Sequence, residues 1–146
     1  MNIQSRAFQN GQAIPSIYTC DGENINPPLT ISSVPIAAQS LVLIVEDPDS
    51  PSGTFTHWLV FNIQPLTSSI SENSVPDQAI EGLNDFGQIR YGGPCPGSGT
   101  HHYIFKLYAL DTTLNLLEGA KKADLINKMQ NHILEQAELT GTYKKQ

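Results

Sequence analysis

Acids, imidazoles and stiff loops occur together twice in this chain. Asp47-Pro48-Asp49-Ser50-Pro51 is followed by His57-Trp58, and Gly92-Gly93-Pro94-Cys95-Pro96 leads to His101-His102-Tyr103. Each segment borders an apolar stretch. If the fold joins them, they make a small polar pocket lined by ring N–H groups, the basis of an anion site. Ionised carboxylates repel an anion, so Asp47 and Asp49 are expected behind the imidazoles. A carboxylate accepting from one nitrogen of His57 or His101 fixes the tautomer, aims the other N–H into the pocket and favours the imidazolium. Asp49 could instead meet the ammonium of an ethanolamine-type ligand. Both acids also suit a turn in which their side chains cap the backbone. Gly93 lets backbone N–H groups approach a ligand, and Pro94 and Pro96 stiffen the rim. Successive N–H groups in such a loop can form an anion nest. Tyr91 and Tyr103 can donate hydroxyls, or serve as aromatics at the core edge.

Other chemistries fit less well. Asp47, Asp49, His57, His101 and His102 could nominally ligate a metal, but no pair has the close spacing of a structural zinc motif, so neither metal nor cofactor is expected. A hydrolase would need Ser50, Ser98 or Cys95 beside a histidine, and the chain has no Gly-x-Ser-x-Gly elbow. Binding without turnover is therefore the expectation, with a weak hydrolase as an alternative.

The elements that must position these residues are mostly strands. Leu41–Val45 is a continuous aliphatic run, suited to a central strand covered on both faces. His57–Ile63 and Tyr103–Leu110 are rich in strand formers, with Lys106 interrupting the second. Tyr18 to Pro35 carries many turn formers and reads as an ordered loop pinned by Ile17, Tyr18, Leu29 and Ile31. Thr67–Pro76 and Gly82–Gly87 read as surface loops. From Lys122 to about Glu138, Leu125, Met129, Ile133 and Ala137 make one stripe at helical spacing, with Asp124 in the first turn and Lys121 a poor cap. Strands spaced by turns without alternating helices predict an antiparallel β-sandwich, all-β but for this short C-terminal helix.

Bulk properties narrow the function. The 146 residues suit one domain over 1–146 with a core that needs no metal. Charged residues are 15%, against a usual ~25%. Fourteen acids against eight bases give a net charge of −6 and no basic stripe, which argues against nucleic acid and anionic membranes. No apolar run approaches the ~20 residues of a membrane helix, and Met1–Arg6 has no signal-like apolar stretch, so a cytoplasmic protein is expected. In that compartment Cys20 and Cys95 would normally be free thiols; a Cys20–Cys95 bridge would need an oxidising one.

Taken in order, these motifs resemble the phosphatidylethanolamine-binding protein (PEBP) family, in its bacterial Raf kinase inhibitor-like branch. Ile14-Pro15, Tyr18-Thr19-Cys20-Asp21-Gly22 and Asn26-Pro27-Pro28-Leu29 are similar to its N-terminal signature. Asp47–Pro51 with His57-Trp58 resembles its first pocket motif. Gly82–Gly87, Tyr91–Pro96 and His101 resemble its second, and Ala137–Tyr143 its tail. The chain departs at Ile31, where the family usually has Trp, at Arg90 (Gly), Gly97 (Pro) and His102 (Arg). The resemblance implies a β-sandwich with a pocket for phosphate-like head groups at Asp47, Asp49, His57, Gly93, Pro94 and His101, with Tyr91 and Tyr103 nearby. His57 and His101 would donate to the anion. It also implies that some members restrain kinases or serine proteases, so a pocket-independent interaction module is an alternative, and by analogy a homodimer.

Overall fold

The computed structural model describes residues 1–146. Eight strands and one helix follow in the order β1 (Asn2–Gln4), β2 (Leu29–Ser32), β3 (Ser40–Asp47), β4 (Phe55–Ile63), β5 (Ser69–Ile70), β6 (Ile80–Glu81), β7 (Thr100–Leu110), α1 (Lys122–Met129) and β8 (Ile133–Lys144). All ladders between them are antiparallel. Two sheets result, one ordered β1-β2-β5 and one ordered β6-β4-β3-β7-β8.

The aliphatic run predicted as central is central. All eight positions of β3 are buried, and its side chains alternate between two cores. Leu41, Leu43 and Val45 face the three-stranded sheet, against Ile3, Leu29, Ile31 and Ile70. Val42 and Ile44 face the other way, against Leu125 and Met129 of α1. Burial on both faces explains why this strand shows no polar alternation. Lys106, the interruption in β7, pairs with the buried Glu46 carboxylate, as does Lys122. Burial alone would raise the Glu46 carboxyl, but these hydrogen bonds hold it below the usual range.

Three sequence expectations need correction. The helix is shorter than its periodicity suggests: it starts at Lys122 but ends at Met129, and Ile133–Lys144 is a strand running along the whole of β7. Gln130 leaves helical geometry and Asn131 takes φ 67°, a left-handed conformation that Asn tolerates and that turns the chain out of the helix. Ile133 and Leu134 are exposed, not part of a buried stripe. The start is supported despite Lys121, because its N–H donates to Asp124 Oδ2 at 3.1 Å. Second, the expected loop regions contain β2 and β5, whose short pairing completes the smaller sheet. Third, Cys20 and Cys95 are bonded to each other, tying the loop after the 3₁₀ turn Ser16–Tyr18 to the Gly92–Gly97 loop.

Candidate functional site

The two chemistry-bearing segments meet at one end of the core face. Asp47 is the last residue of β3, and His101 enters the neighbouring strand β7. They donate and accept at 2.7 Å through His101 Nδ1 and Asp47 Oδ2, and both are buried. The other carboxylate oxygen, Oδ1, accepts the Asp49 backbone N–H at 2.7 Å, so the turn holds the acid in place. This is the arrangement expected of an orienting carboxylate, with the tautomer set so that Nε2 is the nitrogen left over.

His57 reaches the same place by a different route. The β3–β4 ladder pairs Val45 with Trp58 and then Glu46 with Thr56, skipping His57. That irregularity is a β-bulge, which re-aims a side chain. By simple alternation with Leu59, His57 would face the helix-side core; instead its ring packs edge-on against Tyr103, with centroids 5.2 Å apart. Its Nδ1 lies 2.6 Å from the Gly92 carbonyl oxygen, and the Gly92 N–H returns a bond to the His57 carbonyl at 3.0 Å. A carbonyl only accepts, so Nδ1 carries the hydrogen. Burial lowers the basicity of this ring, only partly offset by the Gly92 carbonyl and the Asp47 charge, so His57 is neutral at ordinary pH.

A cavity of about 210 Å³ opens between these groups. Asp47, His57, His101 and Tyr103 line it, with Ser50 and Ser52 from the β3–β4 loop. Phe55 and Phe86 form an aromatic wall, 4.7 Å apart edge to face. Tyr103 Oη is the one sealed polar side-chain atom without a partner in the molecule. Such a group costs roughly 1–3 kcal/mol unless something meets it. Burial and the nearby Asp47 charge push its hydroxyl well above the usual phenol range, against a small opposite pull from the Cys95 backbone. A larger hollow, about 590 Å³, runs between β1 and β8, but it holds no histidine and no cationic side chain.

Four of the eight expected residues do not line the cavity. Asp49 points outward and bonds the exposed His102. Tyr91 is buried elsewhere, its hydroxyl donating to the Tyr18 carbonyl at 2.8 Å and its ring against Trp58. Gly93 donates to Asn24 Oδ1 at 2.7 Å, and a Cβ there would stand 2.3 Å from the Tyr18 carbonyl. It is a glycine because two loops touch. The Pro94 carbonyl accepts from Cys20 N–H, next to the disulfide. These residues build the wall from behind. Arg90, where the family usually has Gly, reaches to the carbonyls of Tyr91 and Asn24.

No pattern in the sequence marks Phe55 and Phe86 as cavity residues. Phe86 gets there because Asn84 Oδ1 accepts from the N–H groups of Phe86 and Gln88, folding Gly82–Gly87 into a tight loop. Thr56 and Asp85 then exchange two bonds that pin that loop to β4. Gly92 leaves room for the Phe86 ring, which a Cβ would meet at 2.4 Å. The Asn84–Gly87 turn signal was visible in the sequence; its target was not. No three His, Cys, Asp or Glu side chains are grouped to hold a metal ion. No helix is long and apolar enough to cross a membrane.

Comparison with known proteins identifies the fold and the family. The sequence pattern of the phosphatidylethanolamine-binding protein family matches residues 4–144. The chain belongs to that family. A UPF0098 protein of Methanothermobacter thermautotrophicus is 49% identical over 150 residues, covering 99% of each chain. The UPF0098 protein of Chlamydia trachomatis is 46% identical over 150 residues and 99% of each chain. Among solved structures, a PEBP homolog from Chlamydia trachomatis superposes with a TM-score of 0.95 at 45% identity, over 99% of this chain and 97% of that one. Escherichia coli YBCL, described as a member of the mammalian PEBP family, gives 0.92 at 29% identity over 99% and 98%.

Proposed function

We propose that this PEBP-family chain binds a small phosphate-bearing ligand in the His57–His101 cavity and releases it unchanged. The observation that carries the reading is the buried Asp47–His101 contact at the wall of a confined cavity that His57 also lines. The carboxylate compensates an imidazolium charge, and His101 Nε2–H then becomes a charge-assisted donor, worth about twice a neutral one. Ser50 and Ser52 add hydroxyls at the mouth. The names of the family and of its solved relative point to a phosphoethanolamine-type ligand. Turnover is disfavoured by the same inventory. Cys95 is held in a disulfide, and neither His57 nor His101 hydrogen-bonds a serine, so no activated nucleophile is assembled. Calorimetric titration with inorganic phosphate and phosphoethanolamine tests the reading. Saturable heat is expected in the wild type, weakened about 10–100-fold in His101→Ala. Equal affinity in both proteins, or no heat in either, sinks it.

A further inference from the structure

The two imidazoles of the cavity are held by unlike partners, and this divides their work. His101 sits on a carboxylate, whose full charge can balance an imidazolium. His57 sits on a carbonyl, which offers a dipole and no charge. With Nδ1–H committed to Gly92, the neutral ring has one remaining polar atom, Nε2, and that atom is a lone pair.

The ring cannot turn over easily to present an N–H. It is boxed by Phe55 at 5.0 Å, Phe86 at 5.4 Å and Tyr103 at 5.2 Å between centroids. Flipping it would also strip the Gly92 carbonyl of its donor. Nor is protonation cheap, since the ring is 3% exposed. The ionisable groups in whose field it lies are Asp47 and Asp85, which favour its charging, and Tyr103 and His101 across the cavity. Nε2 makes no bond within the protein and is not one of the sealed atoms, so it opens on the cavity.

We propose that His57 Nε2 is the acceptor of the anion site, so that the site selects an oxyanion carrying its own hydrogen, such as hydrogen phosphate or the monoanion of a phosphate monoester, over one without, such as sulfate or a phosphate diester. This rests on the anion-binding reading above and adds a specificity-determining residue to it. Sulfate has the size, shape and charge of hydrogen phosphate but no O–H at neutral pH. It would face the His57 lone pair with an oxygen of its own unless a proton were taken from water. A diester head group, as in an intact phospholipid, has the same defect. Sites that bond a ligand hydroxyl reject analogues lacking it, because their own polar group is left unpaired.

The test is calorimetry at pH 7.5 with inorganic phosphate and sulfate, and at pH 6.5, where roughly a quarter of a monoester carries its O–H, with phosphoethanolamine and glycerophosphoethanolamine. Phosphate is expected to bind at least about tenfold tighter than sulfate, and the monoester similarly tighter than the diester. His57→Phe should remove the preference while His101→Ala weakens all four. Because His57→Phe strands the Gly92 carbonyl, the wild type supplies a second readout. Titrations in buffers of different ionisation heat should show sulfate taking up about one more proton than phosphate. Equal affinities with equal proton uptake, all lost in His101→Ala, overturn the acceptor role and leave the anion site standing. Absence of binding by all four probes overturns both.

Discussion

Asp47–His101 and Asp49–His102 are the same two residue types joined at the same 2.7 Å by the same atoms. Their acids stand two positions apart and their histidines are neighbours on β7. Strand pleating sends His101 inward and His102 outward. The inner pair has side chains 5% and 11% exposed; the outer pair 42% and 56%. Water screens the outer pair and competes for its hydrogen bonds, whereas the inner pair faces a confined cavity. A third contact, His132–Asp111, repeats the outer case. The geometry of an acid–imidazole contact therefore says little about function here. What sits around it decides.

That contrast can be broken in order of size. The largest effect should come from the tie behind the inner pair. Cys95 is in the cavity wall and bridges to Cys20 across 75 residues. Replacing both by Ser should cost about 2–4 kcal/mol in urea denaturation, by freeing a long loop in the unfolded chain. It should also weaken phosphate binding while the exposed pair's contacts persist. Unchanged stability would show that the bridge constrains nothing.

Next comes the direct comparison. Asp47→Ala strands the His101 Nδ1–H and the Asp49 N–H, and should lose about 2–4 kcal/mol along with anion binding. Asp49→Ala removes a screened contact and should cost less than about 1 kcal/mol. Similar losses from the two variants would erase the distinction. The smallest effect is a pH slope set by His57. Its folded basicity lies below the unfolded value of about 6.5. Between those values the unfolded chain holds a proton that the folded chain refuses, so stability is full above pH 6.5 and declines as pH falls below it. Denaturation midpoints measured from pH 7.5 to 5 should drop in the wild type, and drop less in His57→Phe. A slope unaffected by that variant would place the cause elsewhere.

What the sequence revealed followed physical scale. Leu41–Val45 announced a strand buried on both sides because no polar residue is tolerated on either face. The Asp47 turn and the His101 entry were legible for the same reason, since each borders such a strand. The bulge at His57 was invisible: it depends on how β3 and β4 slide, and no residue in either strand marks it. Ile133 and Ala137 satisfy helical spacing, yet eleven residue pairs between β8 and β7 outweigh local periodicity. Asn131 was the available signal. Gly93 and Tyr91 belong to the motif without touching the cavity, since a motif records what a loop needs as well as what a ligand needs. The Cys20–Cys95 bond stayed open in the sequence, because a thiol's fate depends on compartment and on loop geometry, and spacing shows neither.

Trp58 is the only tryptophan, it is fully buried, and its indole N–H is held by Glu81 Oε2 at 2.7 Å. The chain thus carries a single emitting centre, one residue from His57, shielded from water when folded and exposed when not. Its emission should move to longer wavelength on unfolding, with no other indole to blur the signal. An optical gauge of the core is built in beside the cavity, and neither a label nor a substitution is needed to read it.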